Sequence, residues 1–288
     1  MDDIVVGFDG SEESRDALVL AKQFAKAKDA TLHVAFVQWD DDAVAERRRF
    51  ERLFSEARRE LGALGFVEQR LKEASASKAL QELAEELRPS MIVLGSCHRG
   101  KVGRVMMGSV GERLLHGAPC AVAVAPRGYA DREHFGLGVI GVGYDGRPES
   151  KLALGTAARL ARSLDCSLRL ISVVPHVVTP GRVGAAYEAI GADTFSEILE
   201  EGTRSVGEGV ESTIALVHGD PAEELASQGV ELDLLVVGSR GYGPLRRALV
   251  GGVSADVMRL APCPVLVTPR SSVGAGEGHF ALTTGAAG

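Results

Sequence analysis

The chain has 288 residues, 45% hydrophobic and 25% charged, which is the balance of a globular protein with room for one large domain or two ordinary ones. A net charge of −7 gives no global pull toward nucleic acid or an anionic membrane, so neither is expected as a partner. No apolar run approaches the ~18 to 20 residues of a bilayer span, and the acidic start lacks the basic region of a secretory signal, so a cytoplasmic location is expected.

In chain order, Ile4–Phe8 is a short apolar strand and residues 11–27 an amphipathic helix, with Ser11 as its cap and Ser14 in its first turn. Thr31–Val37 is the second strand. Ala43–Leu64 is a long charged helix in which Phe50, Leu53, Phe54, Ala57 and Leu61 recur at helical spacing. A strand at Phe66–Leu71, a helix at Lys78–Leu87 and a strand at Met91–Leu94 follow. A Gly-rich loop then leads to a helix at Val110–His116 and a last strand at Ala121–Ala125. The order then begins again, with strands near 139–144, 168–174, 211–217, 234–237 and 265–268.

This is an internal repeat. IVVGFDG (4–10) answers VIGVGYDG (139–146), MIVLGS (91–96) answers LLVVGS (234–239), and residues 105–127 answer 248–270. Two domains are expected, 1–128 and 138–270, with a Gly-bearing linker between them and a Gly-, Ala- and Ser-rich disordered tail at 271–288. Apolar strands separated by helices imply parallel sheets covered on both faces, so the fold class is α/β with two doubly wound, Rossmann-like domains.

Ligands of such sheets bind beyond the carboxyl ends of the strands. There the second half carries Gly238, Arg240, Gly241, Arg246 and Arg247, then Gly251 and Gly252 opening a helix at Val253, with no acid between 238 and 252. The first half carries Gly95, His98, Arg99, Gly100, Lys101 and Arg104, then Gly108, Ser109 and Val110. Glycines let a backbone approach a ligand closely, and the free N–H groups of a helix start bind anions. Basic loops repeated in an acidic chain suggest a phosphate-bearing ligand. Turn geometry and a solvated surface explain the same residues, and duplication copies a scaffold as faithfully as a site. No Walker A sequence is present, and no GxGxxG follows the first strand of either half.

The pattern Gly-x-x-Gly, nine residues, Gly-(Ser/Thr) after the fourth strand resembles the ATP-binding motif of the universal stress protein family. The first-strand Asp followed by Gly and the closing Ala-Pro-Cys strand resemble that family too. The resemblance covers both halves, like the tandem members. It implies five-stranded parallel sheets of order 3-2-1-4-5, with ATP or another adenine nucleotide as cofactor, possible Mg²⁺, and unidentified protein clients. In the second half it assigns Gly238, Gly241 and Gly251 to the motif, Arg240 to phosphate, Asp145 to the adenosine and Val173 to adenine, while Gly252 stands where the family has Ser or Thr. In the first half Gly95, Gly108, Ser109, Asp9 and Val37 match, while His98 replaces the second glycine and Gly100 comes two residues late. The second site is favoured.

Asp9 and Asp145 fit two roles equally: holding Mg²⁺ through the phosphates, or capping the following helix. The histidines have no partner at metal spacing. Cys120, Cys166 and Cys263 read as small hydrophobes, and Cys97 alone merits a reactivity test. Valine at Gly238 or Gly251 is expected to block phosphate and leave the fold intact. The edge strands Ala121–Ala125 and Val265–Thr268 are expected to meet near a pseudo-twofold axis, an intramolecular counterpart of family dimers, without merging the two sheets into one; a further homodimer is also open. The functional expectation is an adenine-nucleotide-binding protein of stress response or signalling. A nucleotide-independent interaction scaffold stands second and a slow ATPase third, since no general base is evident beside the loops.

Overall fold

The computed structural model describes residues 3–28, 30–38, 43–97, 103–106, 108–132, 136–175, 184–239 and 252–269. The first half runs β1 (Asp3–Gly7), α1 (Glu12–Lys28), β2 (Thr31–Gln38), α2 (Ala43–Leu61), β3 (Val67–Lys72), α3 (Ala76–Leu87), β4 (Met91–Gly95), α4 (Ser109–Gly117) and β5 (Ala121–Ala125). The second runs β6 (Val139–Gly143), α5 (Pro148–Leu164), β7 (Ser167–Val174), α6 (Gly184–Val206), β8 (Ser212–His218), α7 (Pro221–Gln228), β9 (Leu234–Gly238), α8 (Val253–Leu260) and β10 (Val265–Thr268).

Within each half the strands are parallel and ordered 3-2-1-4-5, since β3-β2-β1-β4-β5 is answered by β8-β7-β6-β9-β10. The inner strands read as near-continuous apolar runs because helices cover both faces: β4 and β9 are each buried along four of their five residues, whereas the outer strands β3 and β8 have no fully buried residue. Helix α2 lays Phe50, Leu53, Phe54, Ala57 and Leu61 into the core, the apolar stripe expected of it.

One expectation is overturned. The two sheets are a single ten-stranded sheet, joined where β5 and β10 pair antiparallel. The register sets Ala123 against Leu266, flanked by Val124–Val265 and Val122–Val267. Ala123 and Leu266 are equivalent positions of the two repeats, so the pairing is symmetric about them and fits a pseudo-twofold relation. The reason for the merger is the edge itself. Both strands are buried throughout, carry no charge or proline, and would otherwise leave a row of backbone N–H and C=O groups unpaired. Ala123 and Leu266 enter the apolar layer on one face, and Val122, Val124, Val265 and Val267 the layer on the other, so both layers run through the seam.

Buried Asp16 on α1 accepts hydrogen bonds from the N–H groups of Gly128 (2.8 Å) and Ala130 (2.7 Å), which fixes the start of the linker against the first half. The proposed tail, 271–288, lies outside the described residues.

Candidate functional site

In each half the chain passes from its first strand to the second on one side and to the fourth on the other. The carboxyl ends of β1 and β4, and of β6 and β9, therefore diverge into a crevice. A cavity lies at each. The first, about 810 Å³, has Val37, Leu80 and Leu94 among its apolar lining, Asp9 at its rim, and Gly95, Gly108, Ser109 and Val110 on the wall toward α4. The second, about 400 Å³, is lined in the corresponding places by Val173, Leu225, Asp145, Gly238 and Val253, with Ser254 beside them. Because β5 and β10 are antiparallel, the cavities open at opposite ends of the sheet.

The rim is the same device twice. Gly10 and Gly146, at φ +84° and +76°, turn the chain back after the aspartate. The Asp9 carboxylate then accepts from the Ser11 N–H (3.0 Å) and hydroxyl (2.6 Å), and the Asp145 carboxylate from the Arg147 N–H (3.2 Å). Burial works to raise the Asp9 pKa, but the hydrogen bonds from Ser11 and Ser14 outweigh it and hold the group below its ordinary value. Ser11 caps α1 through the Ser14 N–H (3.2 Å), as its position implied. Ser14 and Ser150 lock the turn from below, accepting from the N–H of Gly10 and of Asp145 and donating to the carbonyls of Ser11 and Arg147. From the sequence Ser14 is read only as a first-turn residue and Ser150 not at all, although the recurrence of a serine five residues after each aspartate is a usable signal.

The glycines ending β4 and β9 have a structural duty. A Cβ on Gly95 would lie 1.8 Å from the Glu13 carbonyl oxygen, and one on Gly238 would lie 2.5 Å from that of Glu149. Helices α1 and α5 thus start directly against these strand ends. This corrects the expectation that valine at Gly238 would spare the fold: the obstacle is backbone, which cannot yield. Gly252 is the opposite case. It caps α8 in an extended conformation (φ −111°, ψ 162°) with no side-chain cap, and a Cβ there meets nothing within 4 Å. Gly108 caps α4 in the same way, and Ser109 opens that helix.

Arg240, Gly241, Gly251, His98 and Gly100 lie outside the described residues, as do Arg99, Lys101, Arg246 and Arg247. Arg104, read as part of a phosphate-seeking loop, is placed elsewhere. Its guanidinium donates to the Leu260 carbonyl at the end of α8 (2.7 Å), and the neighbouring Val105 N–H donates to the Ala261 carbonyl (3.0 Å). It satisfies a helix C-terminus across the seam, where a cation complements the helix dipole. A residue not singled out in the sequence, Arg49 of α2, lines the first cavity instead.

Among the described residues no group of three or more His, Cys, Asp or Glu side chains could hold a metal ion. Half-buried Cys97 lines the first cavity, while burial pushes the thiols of Cys120 and Cys263 up to about 12 and that of Cys166 up to about 11, as suits small hydrophobes. No helix among the described residues is long and apolar enough to cross a membrane.

The model of the universal stress protein family matches residues 1–126 and again 137–269. The chain belongs to the universal stress protein family. It is 28% identical over 293 aligned positions to Universal stress protein Rv2319c of Mycobacterium tuberculosis, covering 92% of this chain and 99% of that one. A universal stress protein from Archaeoglobus fulgidus has a similar fold, with TM-score 0.67 and 22% identity over 93% of this chain and 98% of that one. A further structure, described as a putative universal stress protein from Pseudomonas aeruginosa, gives TM-score 0.65 at 17% identity over 93% of each chain. A universal stress protein solved in complex with cAMP matches 46% of this chain and 97% of its own (25% identity, TM-score 0.38), and cAMP is the ligand of that protein.

Proposed function

We propose that this universal stress protein binds ATP or a related adenine nucleotide in its two domains, 1–128 and 138–270, and serves stress response or signalling in the cytoplasm as a binding protein. The observation that carries the reading is the recurrence, at both switch points, of one cavity with three parts. Apolar Val37 or Val173 offers a surface to a base. The Asp9 or Asp145 turn offers a carboxylate to a ribose. The start of α4 or α8 offers first-turn N–H groups, which have no partner within the helix, and the positive dipole end that suits phosphate. The capping glycines fit a phosphate, since neither Gly108 nor Gly252 itself places a side chain on the helix start. Mg²⁺, where used, would reach the protein mainly through the phosphate oxygens, because Asp9 already spends one oxygen on Ser11.

The test is to denature the purified protein and weigh what it releases, then to add ATP to the emptied, refolded chain in a calorimeter. Released adenine nucleotide, or saturable ATP binding, supports the proposal. A folded chain that releases none and takes up no ATP refutes it and returns the protein to the class of interaction scaffolds.

A further inference from the structure

The two cavities share a frame but differ in one wall, and the difference bears on which nucleotide each takes; the inference rests on the nucleotide reading above. Gly10 packs against Leu53 of α2 and Gly146 against Ile198 of α6, with a Cβ at these glycines falling 2.3 Å and 3.1 Å from the respective side chains. That shared contact aligns the two helices. Four residues before Leu53 stands Arg49, and four before Ile198 stands Thr194.

Arg49 lines the first cavity, and Thr194 is not among the residues lining the second, whose arginine is Arg147 on the Asp145 turn, 3.9 Å from that carboxylate. The Arg49 guanidinium carbon sits 5.1 Å from the centre of the Phe36 ring, which holds the group flat, and one of its nitrogens lies 3.6 Å from Glu46 Oε1. Glu46 is sunk into the protein with its side chain 8% exposed, while that of Arg49 is 40% exposed and open to the cavity. At 3.6 Å the pair is beyond hydrogen-bond length, so the donors of Arg49 remain available to a ligand.

The position matters as much as the charge. Arg49 stands beside Phe36 of β2, whereas the start of α4 lies past β4, two strands away across a sheet with neighbours ~4.8 Å apart. The first cavity therefore offers donors to an anion at both ends, with the Arg49 charge partly offset by Glu46 and the carboxylates of Asp9 and Glu13 between them. A nucleotide with its 5′-phosphates at α4 and its base on Val37 has its ribose at the Asp9 turn, and Gly10 of that turn packs on Leu53, one helical turn from Arg49. The planar guanidinium fork matches a phosphate with two parallel hydrogen bonds, and dinucleotide-binding folds place an arginine in a comparable location to take a ribose phosphate. We propose that Arg49 makes the first cavity selective for an adenosine nucleotide bearing a second phosphate on its ribose.

The test uses the full chain carrying Gly252→Asp, which places a negative charge at the start of α8 and leaves only the first cavity for anions. Calorimetry compares AMP with the 2′,5′- and 3′,5′-bisphosphates of adenosine. At least one bisphosphate is expected to bind ten times more tightly than AMP or better. Arg49→Thr, which installs the residue of the other half, should bring that ratio to within twofold. In the opposite background, Ser109→Asp, the substitution Thr194→Arg should raise the ratio in the second cavity. A ratio within twofold before Arg49 is changed overturns the inference. So does a ratio that survives Arg49→Thr, or an equal loss for all three ligands, which would mean that Arg49 merely stacks on the base. In each of these cases AMP still binds and the nucleotide reading stands. Failure of AMP, the bisphosphates and ATP alike overturns both.

Discussion

Gly252 offers a perturbation whose effects on folding and on binding point in opposite directions. The residue is already extended, its missing Cβ would meet open space, and α8 begins without a side-chain cap. Serine there should cost the fold nothing and change its stability by only a few tenths of a kcal/mol, the usual difference between Gly and Ser caps. Its hydroxyl would supply the phosphate contact proposed for Ser109 in the first half. One more hydrogen bond to a charged phosphate contributes about 1.5 kcal/mol, so ATP should bind the second cavity roughly tenfold more tightly. Aspartate is equally at home as a cap and should stabilise α8 by ~0.3 to 1 kcal/mol through the helix dipole. Against a phosphate about 4 Å away at an effective dielectric near 20 it adds ~4 kcal/mol of repulsion, so affinity should fall by about a hundredfold or more after screening. The assay is calorimetric titration with ATP of Gly252→Ser and Gly252→Asp, with Ser109→Asp in the background to silence the first half. Melting temperatures are read in parallel. Equal affinities in the two variants would refute the placement of phosphate at α8, as would a loss in Gly252→Asp that only tracks a fall in melting temperature.

Alanine at Gly95 or Gly238 should destabilise by ~2 kcal/mol or more and lower the melting temperature by several degrees, because each Cβ meets helix backbone; an unchanged melting curve would show that α1 and α5 can withdraw. Asp16→Asn should cost ~1 to 2 kcal/mol, because an amide has one acceptor oxygen where Gly128 and Ala130 present two donors, and faster hydrogen exchange at those two amides is the readout. Asp9→Asn should cost ~1 kcal/mol at neutral pH. The pKa of Asp9 is held below its ordinary 3.8, so its contribution is full above that value and is lost as pH falls through the folded-state pKa. The stability gap between wild type and Asp9→Asn, read from urea midpoints, should accordingly narrow as pH falls below 3.8, and a gap that widens on acidification would contradict the assignment.

Much of the fold could be read in the sequence because its signals are local. The apolar runs, the stripe of Phe50, Leu53, Phe54, Ala57 and Leu61, and the Ser11 cap each follow from neighbours a few residues apart, and β5 is found at Ala121–Ala125 as read. The merged sheet could not be read this way. Their continuous apolar runs show that β5 and β10 are buried on both faces, but not that Ala123 faces Leu266 across a gap of more than a hundred residues. The site divides along the same line. Val37, Val173, Asp9, Asp145, Gly95, Gly108, Ser109, Gly238 and Val253 do line the two cavities, since duplication repeats the order of their elements. Arg49 and Arg104 escaped because a basic residue gives no local sign of direction. One stands on a helix read only for its apolar face, and the other sits in a basic loop yet reaches across the seam to Leu260.

The central claim, that the two helix starts hold the phosphates of an adenine nucleotide, meets its most direct test in one titration. The wild type and the double variant Ser109→Asp, Gly252→Asp are titrated with ATP in the same calorimeter, after their melting curves are shown to agree. Phosphate held at the two helix starts means saturable binding by the wild type and none by the double variant. Binding that persists unchanged in the double variant, or a folded wild type that takes up no ATP, would contradict it.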